Sequence, residues 1–265
     1  MSAPAAVIHA SVSRPVAALG RGALSLLRGA GSLFLTAWRI VVAAPRADVR
    51  ETLRCSVVFG WRSFPLSIAV AIFAGAILVV QTSFYVRKVG AREILGWAAG
   101  FAILREFGPL LIAMVLSGRI GARNAAEVAA LTVGEQVDAL AAMAIDPFRA
   151  LFAPRAIATI LSIVCLTAFG DLVAIGAASM FAWVALDVRP GTFYRSLDLG
   201  LAAVDLFSGL GKSLAYGVAI AVISTQKGLA ARGGGADAVG QAATRSVVAT
   251  ALAILVLDFL LTSGH

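Results

Sequence analysis

Five long apolar runs, separated by shorter polar stretches, organise the chain. The first, Phe64–Val86, is uncharged over its first 23 residues. The second, Ile94–Gly118, is apolar from Ile94 to Leu104 and again from Leu110 to Leu116, with Arg105 and Glu106 between the two halves. The third, Ala156–Leu186, holds Asp171 near its centre; the fourth, Phe207–Gln226, holds Lys212 near its start; the fifth, Ser246–Thr262, holds Asp258 near its end. These lengths approach or exceed the ~20 residues that a helix needs to cross a bilayer. The pattern predicts an all-α integral membrane protein with about five transmembrane helices. The third run has 31 residues, ~46 Å as a straight helix, against a hydrocarbon core of ~30 Å. It is expected to tilt, to break near Gly170 or Gly176, or to extend beyond the bilayer.

The chain ahead of the first run has a different rhythm. Arg14, Arg21 and Arg28 are seven apart and share one helix face, with a drift of ~20° per heptad. Leu19, Ala23, Leu26, Leu27, Ala30, Leu33, Phe34, Ala37 and Val41 recur at three- and four-residue steps on another face. Such a helix lies in the headgroup plane, arginine in water and leucine in lipid. The same acid-free, arginine-bearing stretch also bears a superficial likeness to an organelle transit peptide. The expected organisation is an N-terminal basic amphipathic interfacial segment, residues 1–62, followed by a membrane domain, residues 63–262. No strong tandem repeat and no inverted half-repeat is visible, which speaks against an inverted-repeat secondary transporter.

Charge adds an orientation. The 265 residues are only 14% charged, with a net charge of +8. Eight arginines and two acids precede Phe64. With the N-terminus inside, fifteen Lys and Arg fall in inside regions and five in outside loops, so the positive-inside rule favours a cytoplasmic N-terminus and an external C-terminus. No basic patch interleaves with aromatics outside the apolar spans, so nucleic-acid binding is excluded as a main role. The longest connection, Arg119 to Arg155, is Ala-rich and has few breakers. Within it Val133, Val137, Leu140 and Met143 form an apolar stripe, while Glu127, Glu135 and Asp138 stay polar. Asp146-Pro147 reads as an N-cap followed by proline at the first helical position. One or two short cytoplasmic helices are expected here, either to dock a partner or to close the bundle.

The chemistry that remains is sparse. The two cysteines, Cys55 and Cys165, are far apart, and the only histidines are His9 and His265, so neither a zinc nor an iron site is expected. Ser208-Gly209-Leu210-Gly211-Lys212-Ser213 imitates the end of a phosphate-binding loop, but Leu206 stands where the motif needs glycine. Lys212 is instead expected to snorkel toward an interface. Gly233-Gly234-Gly235 suits a turn better than a phosphate cradle. Asp171 and Asp258 are expected to play structural parts, Asp171 paired with a polar group of a neighbouring helix and Asp258 reaching the outer interface. No catalytic constellation is present. Arg105-Glu106 is the strongest site candidate, because ionisable residues inside a span are costly and face a bundle interior or a water-filled cavity. Adjacent helical residues point about 100° apart and do not face each other, so at least one needs another partner, or water. Gly108-Pro109 supplies a kink beside them.

Taken together, Leu104-Arg105-Glu106-Phe107-Gly108-Pro109, Gly118-Arg119-Ile120-Gly121, Glu135-Gln136-Val137-Asp138-Ala139-Leu140, Ile145-Asp146-Pro147-Phe148-Arg149, Lys212-Ser213 and Leu257-Asp258-Phe259 resemble the MlaE (YrbE-type) permease family, membrane subunits of bacterial lipid-transport ABC systems with Mce-type partners. The resemblance covers roughly residues 60–262. It implies a homodimeric permease of the bacterial inner membrane, N-terminus cytoplasmic and C-terminus periplasmic. It implies a separate cytoplasmic ABC ATPase, a periplasmic Mce-domain (MlaD-like) protein, room for a small STAS-type regulatory subunit, and phospholipid as the cargo. The chain itself then carries no cofactor, ATP and Mg being used by the ATPase, and is no enzyme. Carried over, Leu78, Arg105, Glu106 and Phe107 line a lipid cavity, and Glu135, Gln136, Asp138, Asp146 and Arg149 couple to the ATPase. The expected function is movement of phospholipid between the inner membrane and the Mce partner, in support of outer-membrane lipid homeostasis. The rivals are a proton-coupled secondary transporter using Asp171, Glu106 and Asp258, and a membrane scaffold that only anchors partners. Arg123-Asn124 stand where the family often has small or apolar residues, and the Gly233–Gly235 turn is one glycine longer than usual.

Overall fold

Runs of Ala, Leu, Ile and Val free of internal breakers become helices, and in the computed structural model every regular element among the described residues is helical. The structure describes residues 27–89, 94–231 and 233–263. Arg14, Arg21, Arg232 and both histidines lie outside them. The helices are α1 (Leu27–Arg46), α2 (Val49–Val89), α3 (Leu95–Val133), α4 (Gln136–Ala142), α5 (Phe148–Leu186), α6 (Pro190–Gly200), α7 (Ala203–Leu229) and α8 (Gly235–Ser263). Six of them, α1, α2, α3, α5, α7 and α8, are long and apolar enough to cross a membrane, one more than the five expected. The protein is an all-α, multi-pass membrane protein. Its outer faces are apolar, with Phe73, Leu172, Val184 and Phe259 each about 70% exposed (68, 68, 73 and 73%).

The extra apolar helix is α1, and its partners distinguish it from the others. Ser32 near its start accepts a hydrogen bond from Gln226 Nε2 (3.1 Å). Ile40 packs with Ala156 and Ala221. The carbonyl of Arg46 at its end accepts from Arg149 Nε (3.0 Å). All three contacts reach the last turns of α7 or the first turns of α5. Here α1 packs against the last turns of α7 and the first turns of α5, at one end of the bundle.

Several boundaries differ from the sequence reading. Residues 62 and 63 lie inside α2, a 41-residue helix that runs through Pro65; the helical break falls at Ala47 and Asp48 instead. Ala153–Leu186 is helical over 34 residues with no break at Gly170 or Gly176. It packs against α2 and shares with it and the start of α3 a core that includes Leu78, Val79, Ile103, Ala174 and Ala178. The largest correction concerns the Arg119–Arg155 connection. Its first part, Ala122–Val133, continues α3 into the bundle, with Ala125, Val128 and Ala129 fully buried. Asn124 is buried there and donates to Ser224 Oγ (2.7 Å) and Thr225 Oγ1 (3.3 Å) on α7, which accounts for a polar residue at that place. The helix then stops at Gly134, Glu135 takes a left-handed conformation (φ 54°), and α4 beyond it has no buried residue. Part of the connection therefore closes the bundle and part is exposed.

Gly233, Gly234 and Gly235, with φ of 68°, 83° and 55°, form the turn into α8. Three successive left-handed residues are open to glycine at little cost and to few other residues. Serine and threonine hydroxyls within the apolar helices bond back to carbonyls three or four residues earlier, as Ser117 does to Met114 (2.7 Å) and Thr250 to Ser246 (2.8 Å). That satisfies them without water.

Candidate functional site

The second apolar run does not stay α-helical where its charges fall. Ile103–Phe107 forms one turn of π-helix, in which the Gly108 N–H reaches back five residues to the Ile103 carbonyl. Pro109 follows and brings no N–H of its own. The wider turn sets Arg105 and Glu106 on different neighbours. Arg105 Nη1 lies 3.6 Å from Asp205 Oδ1 at the start of α7, and its guanidinium sits 5.3 Å from the centre of the Phe101 ring. Asp205 also closes the first turn of α7, accepting from the Ala202 N–H (3.1 Å). Glu106 forms a tight 2.7 Å pair with Lys212 Nζ.

Lys212 is the hub. It is 4% exposed, so it does not snorkel to an interface. Besides Glu106 it donates to Thr262 Oγ1 (2.8 Å) and lies 3.6 Å from Asp258 Oδ1. Asp258 is fixed in turn by the Tyr216 hydroxyl, which donates to it at 2.6 Å; it does not reach for the outer interface. Thr262 also lies 3.2 and 3.3 Å from the two Glu106 oxygens. Three helices are tied together: α3 through Glu106, α7 through Lys212 and Tyr216, α8 through Asp258 and Thr262. Gly209 makes the approach possible, because a Cβ there would collide with the Leu104 carbonyl of the π-turn. The rim of the cluster is open. Arg105 and Glu106 side chains are 31% and 30% exposed, and Phe107 is 42% exposed beside them.

Residues 52–263 match the family described as Permease MlaE. The chain belongs to the MlaE permease family. Among similar proteins, a probable ABC transporter permease protein of Rickettsia felis is 30% identical over 246 residues, covering 92% of this chain and 95% of the relative. Another from Synechocystis is 33% identical over 217 residues, 82% of each chain. The intermembrane phospholipid transport system permease protein MlaE of Haemophilus influenzae is 27% identical over 251 residues, 94% of this chain and 96% of the relative.

In this permease the residues singled out in the sequence fall into separate places. Arg105, Glu106 and Phe107 share the open rim. Leu78 does not: it is 5% exposed, inside the apolar core with Leu95 and Ile103. Asp171 lies behind the rim, 1% exposed and packed against Gly108, and neither of its oxygens has a hydrogen-bond partner. The partner on a neighbouring helix expected for it is absent among the described residues. Glu135, Gln136, Asp138, Asp146 and Arg149 form an exposed group at the opposite end. There Asp146 Oδ1 accepts from the Phe148 N–H (3.0 Å), as an N-cap does. Among the described residues no group of three or more His, Cys, Asp or Glu side chains is placed to hold a metal ion.

Sequence reasoning missed Asp205, Tyr216 and Thr262, and misjudged Lys212. One signal was available: Asp205, Lys212 and Tyr216 are seven and four apart, and Asp258 and Thr262 four apart. Each set shares one face of an otherwise apolar helix.

Proposed function

We propose that this chain is the phospholipid-moving permease subunit of an ABC transporter in the bacterial inner membrane. It works as a homodimer with a cytoplasmic ATPase, delivering to or receiving from a periplasmic Mce-domain protein, with a small STAS-type subunit as a further component and outer-membrane lipid homeostasis as the outcome. ATP and Mg act in the ATPase and not in this chain. The observation that carries the reading is the half-open rim of Arg105, Glu106 and Phe107 above a paired, buried base. Arg105 is held to Asp205 only loosely, at 3.6 Å. Its remaining donors suit a phosphate, which a guanidinium binds through two parallel N–H groups. Phe107 offers apolar surface to an acyl chain. Glu106 is already committed to Lys212, so its role is to hold α3 in place and not to contact cargo.

The exposed group Glu135, Gln136, Asp138, Asp146 and Arg149 serves as the surface for the ATPase. Closure of the ATPase pushes on α4 and the start of α5, and α5 and α3 carry the motion to the rim. The arginine-rich end holding α1 faces the cytoplasm, as the positive-inside rule requires, and α1 lies in the headgroup layer.

Arg105→Glu tests the rim. The variant is expected to insert and assemble normally while losing co-purified phospholipid and lipid transfer by roughly tenfold or more, as reversal of a phosphate-binding charge implies. Undiminished lipid and transfer overturn the site. The rival proton-coupled reading draws on one observation, the unpartnered Asp171. Adding a protonophore to the chain reconstituted in vesicles separates the two: ATP-driven transfer continues in the ABC reading and stops in the rival.

A further inference from the structure

At the end of the bundle opposite the Lys212 cluster, α1 and the start of α5 enclose a cleft of about 540 Å³. That is within the range of small-ligand sites. Three arginines line it, Arg39, Arg46 and Arg149, with Trp38, Val42 and Phe148 as its apolar walls. All three arginines are exposed, and none forms an ion pair among the described residues. Arg105, Arg123 and Arg155, by contrast, each have a carboxylate. The one acid lining the cleft, Asp146, uses an oxygen to cap the Phe148 N–H.

The guanidiniums are also partly fixed. Arg39 lies 5.3 Å from the centre of the Phe148 ring, a cation–π contact. Arg149 spends its Nε on the Arg46 carbonyl, leaving the two terminal nitrogens for an incoming anion. Three cations against one engaged carboxylate call for an anionic ligand. The surroundings say which kind: Phe34, Leu35, Trp38 and Val41 on the same helix are 69, 56, 59 and 63% exposed. Exposed tryptophan and aliphatic residues beside arginine mark the level of lipid headgroups, not a site for a soluble anion.

We infer that this cleft binds the headgroup of an anionic phospholipid, which staples α1 to the start of α5. Its phosphate bridges Arg39 and Arg46 on one wall and Arg149 on the other, and its acyl chains run along Trp38 and Val42. This lipid is a resident of the cytoplasmic end and not the cargo of the Arg105 rim. Asp146 and Arg149 also belong to the surface proposed for the ATPase, but the test varies only Arg39 and Arg46 and needs no transport, so its failure leaves the ATPase reading standing.

The purified full chain, with whatever partners accompany it, is titrated with phosphatidylglycerol or phosphatidylcholine and read by native mass spectrometry. The wild-type chain is expected to retain phosphatidylglycerol over phosphatidylcholine. R39Q/R46Q is expected to weaken phosphatidylglycerol roughly fivefold per arginine removed, the equivalent of ~1 kcal/mol per charge at an anionic surface. Repeating the comparison on an Arg105→Gln background, which takes lipid held at the rim out of the reading, is expected to show the same weakening. Equal affinity in R39Q/R46Q and wild type overturns the site, as does equal retention of the two lipids. Complete displacement of phosphatidylglycerol by millimolar inorganic phosphate overturns the lipid assignment in favour of a free-anion site. If the double variant does not fold, R39Q alone, at an exposed side chain, carries the same measurement with the same overturning result.

Discussion

Lys212 is 4% exposed and touches Glu106, Asp258 and Thr262, whereas Arg39, Arg46 and Arg149 at the other end of the bundle are exposed and without an ion pair among the described residues. Both ends are rich in charge, but the physical demand differs. A charge taken out of water loses several kcal/mol of solvation, which only good pairing offsets. The Lys212 end therefore recruits partners from three helices, and its geometry is determined by packing. A charge left at the surface is solvated for little cost, and pairing it adds only ~0–1 kcal/mol. The arginine end is thus free to be spent on ligands and partners. Within one short chain, the buried Lys212 ties helices together while the exposed arginines stay open to a ligand.

Breaking the buried side should have the largest effect. Lys212→Met leaves Glu106 and Asp258 without their cation. The expected loss is toward the low end of the ~3–5 kcal/mol typical of a broken buried pair, since the Glu106 side chain is 30% exposed. Thermal unfolding in detergent measures it. Adding Glu106→Gln to Lys212→Met should recover part of the loss; no recovery would mean that the pair is not the source of the cost. Gly209→Val comes next. Its side chain meets the Leu104 carbonyl and forces α7 away from the π-turn, at about 1–3 kcal/mol for overpacking. Lipid transfer should fall with it, because Arg105 and Lys212 sit on the two elements pushed apart. Transfer and stability both at wild-type level would show that the close approach is dispensable. At the exposed end the effect is smallest. Asp146→Ala removes one cap, about 1 kcal/mol, and should raise hydrogen exchange at residues 148–152 while leaving the unfolding of the bundle unchanged. A global shift instead would mean that this end is more deeply coupled to the core than its exposure suggests.

Much of the architecture was legible in advance because apolar runs have one physical outcome in a bilayer. Backbone polar groups there must be satisfied within the segment, so each run becomes a helix. The five runs correspond to α2, α3, α5, α7 and α8. Less legible was Ala122–Val133, whose arginine, asparagine and glutamate suggest a loop surface. One face of it is buried, where Asn124 finds Ser224 and Thr225, residues 100 and 101 positions away. The candidate site was half legible. Arg105 and Glu106 stand out wherever they occur in an apolar run, and that at least one of them needs another partner, or water, followed from helix geometry alone.

What the sequence determined by itself was the class of protein, the approximate place of five of its six long apolar helices, the N-cap at Asp146 and the anomaly at Arg105 and Glu106. Periodicity, hydrophobicity and local hydrogen bonding act over a few residues, and a linear reading captures them. Only the tertiary structure decided that Lys212 is buried and central, that Leu78 belongs to the core, that Asp171 has no partner and that α1 packs on the ends of α5 and α7. Each of these depends on which helices touch. For the Lys212 cluster the touching was settled by a carbonyl of α3 meeting a glycine of α7, a contact that leaves no periodic trace in the chain.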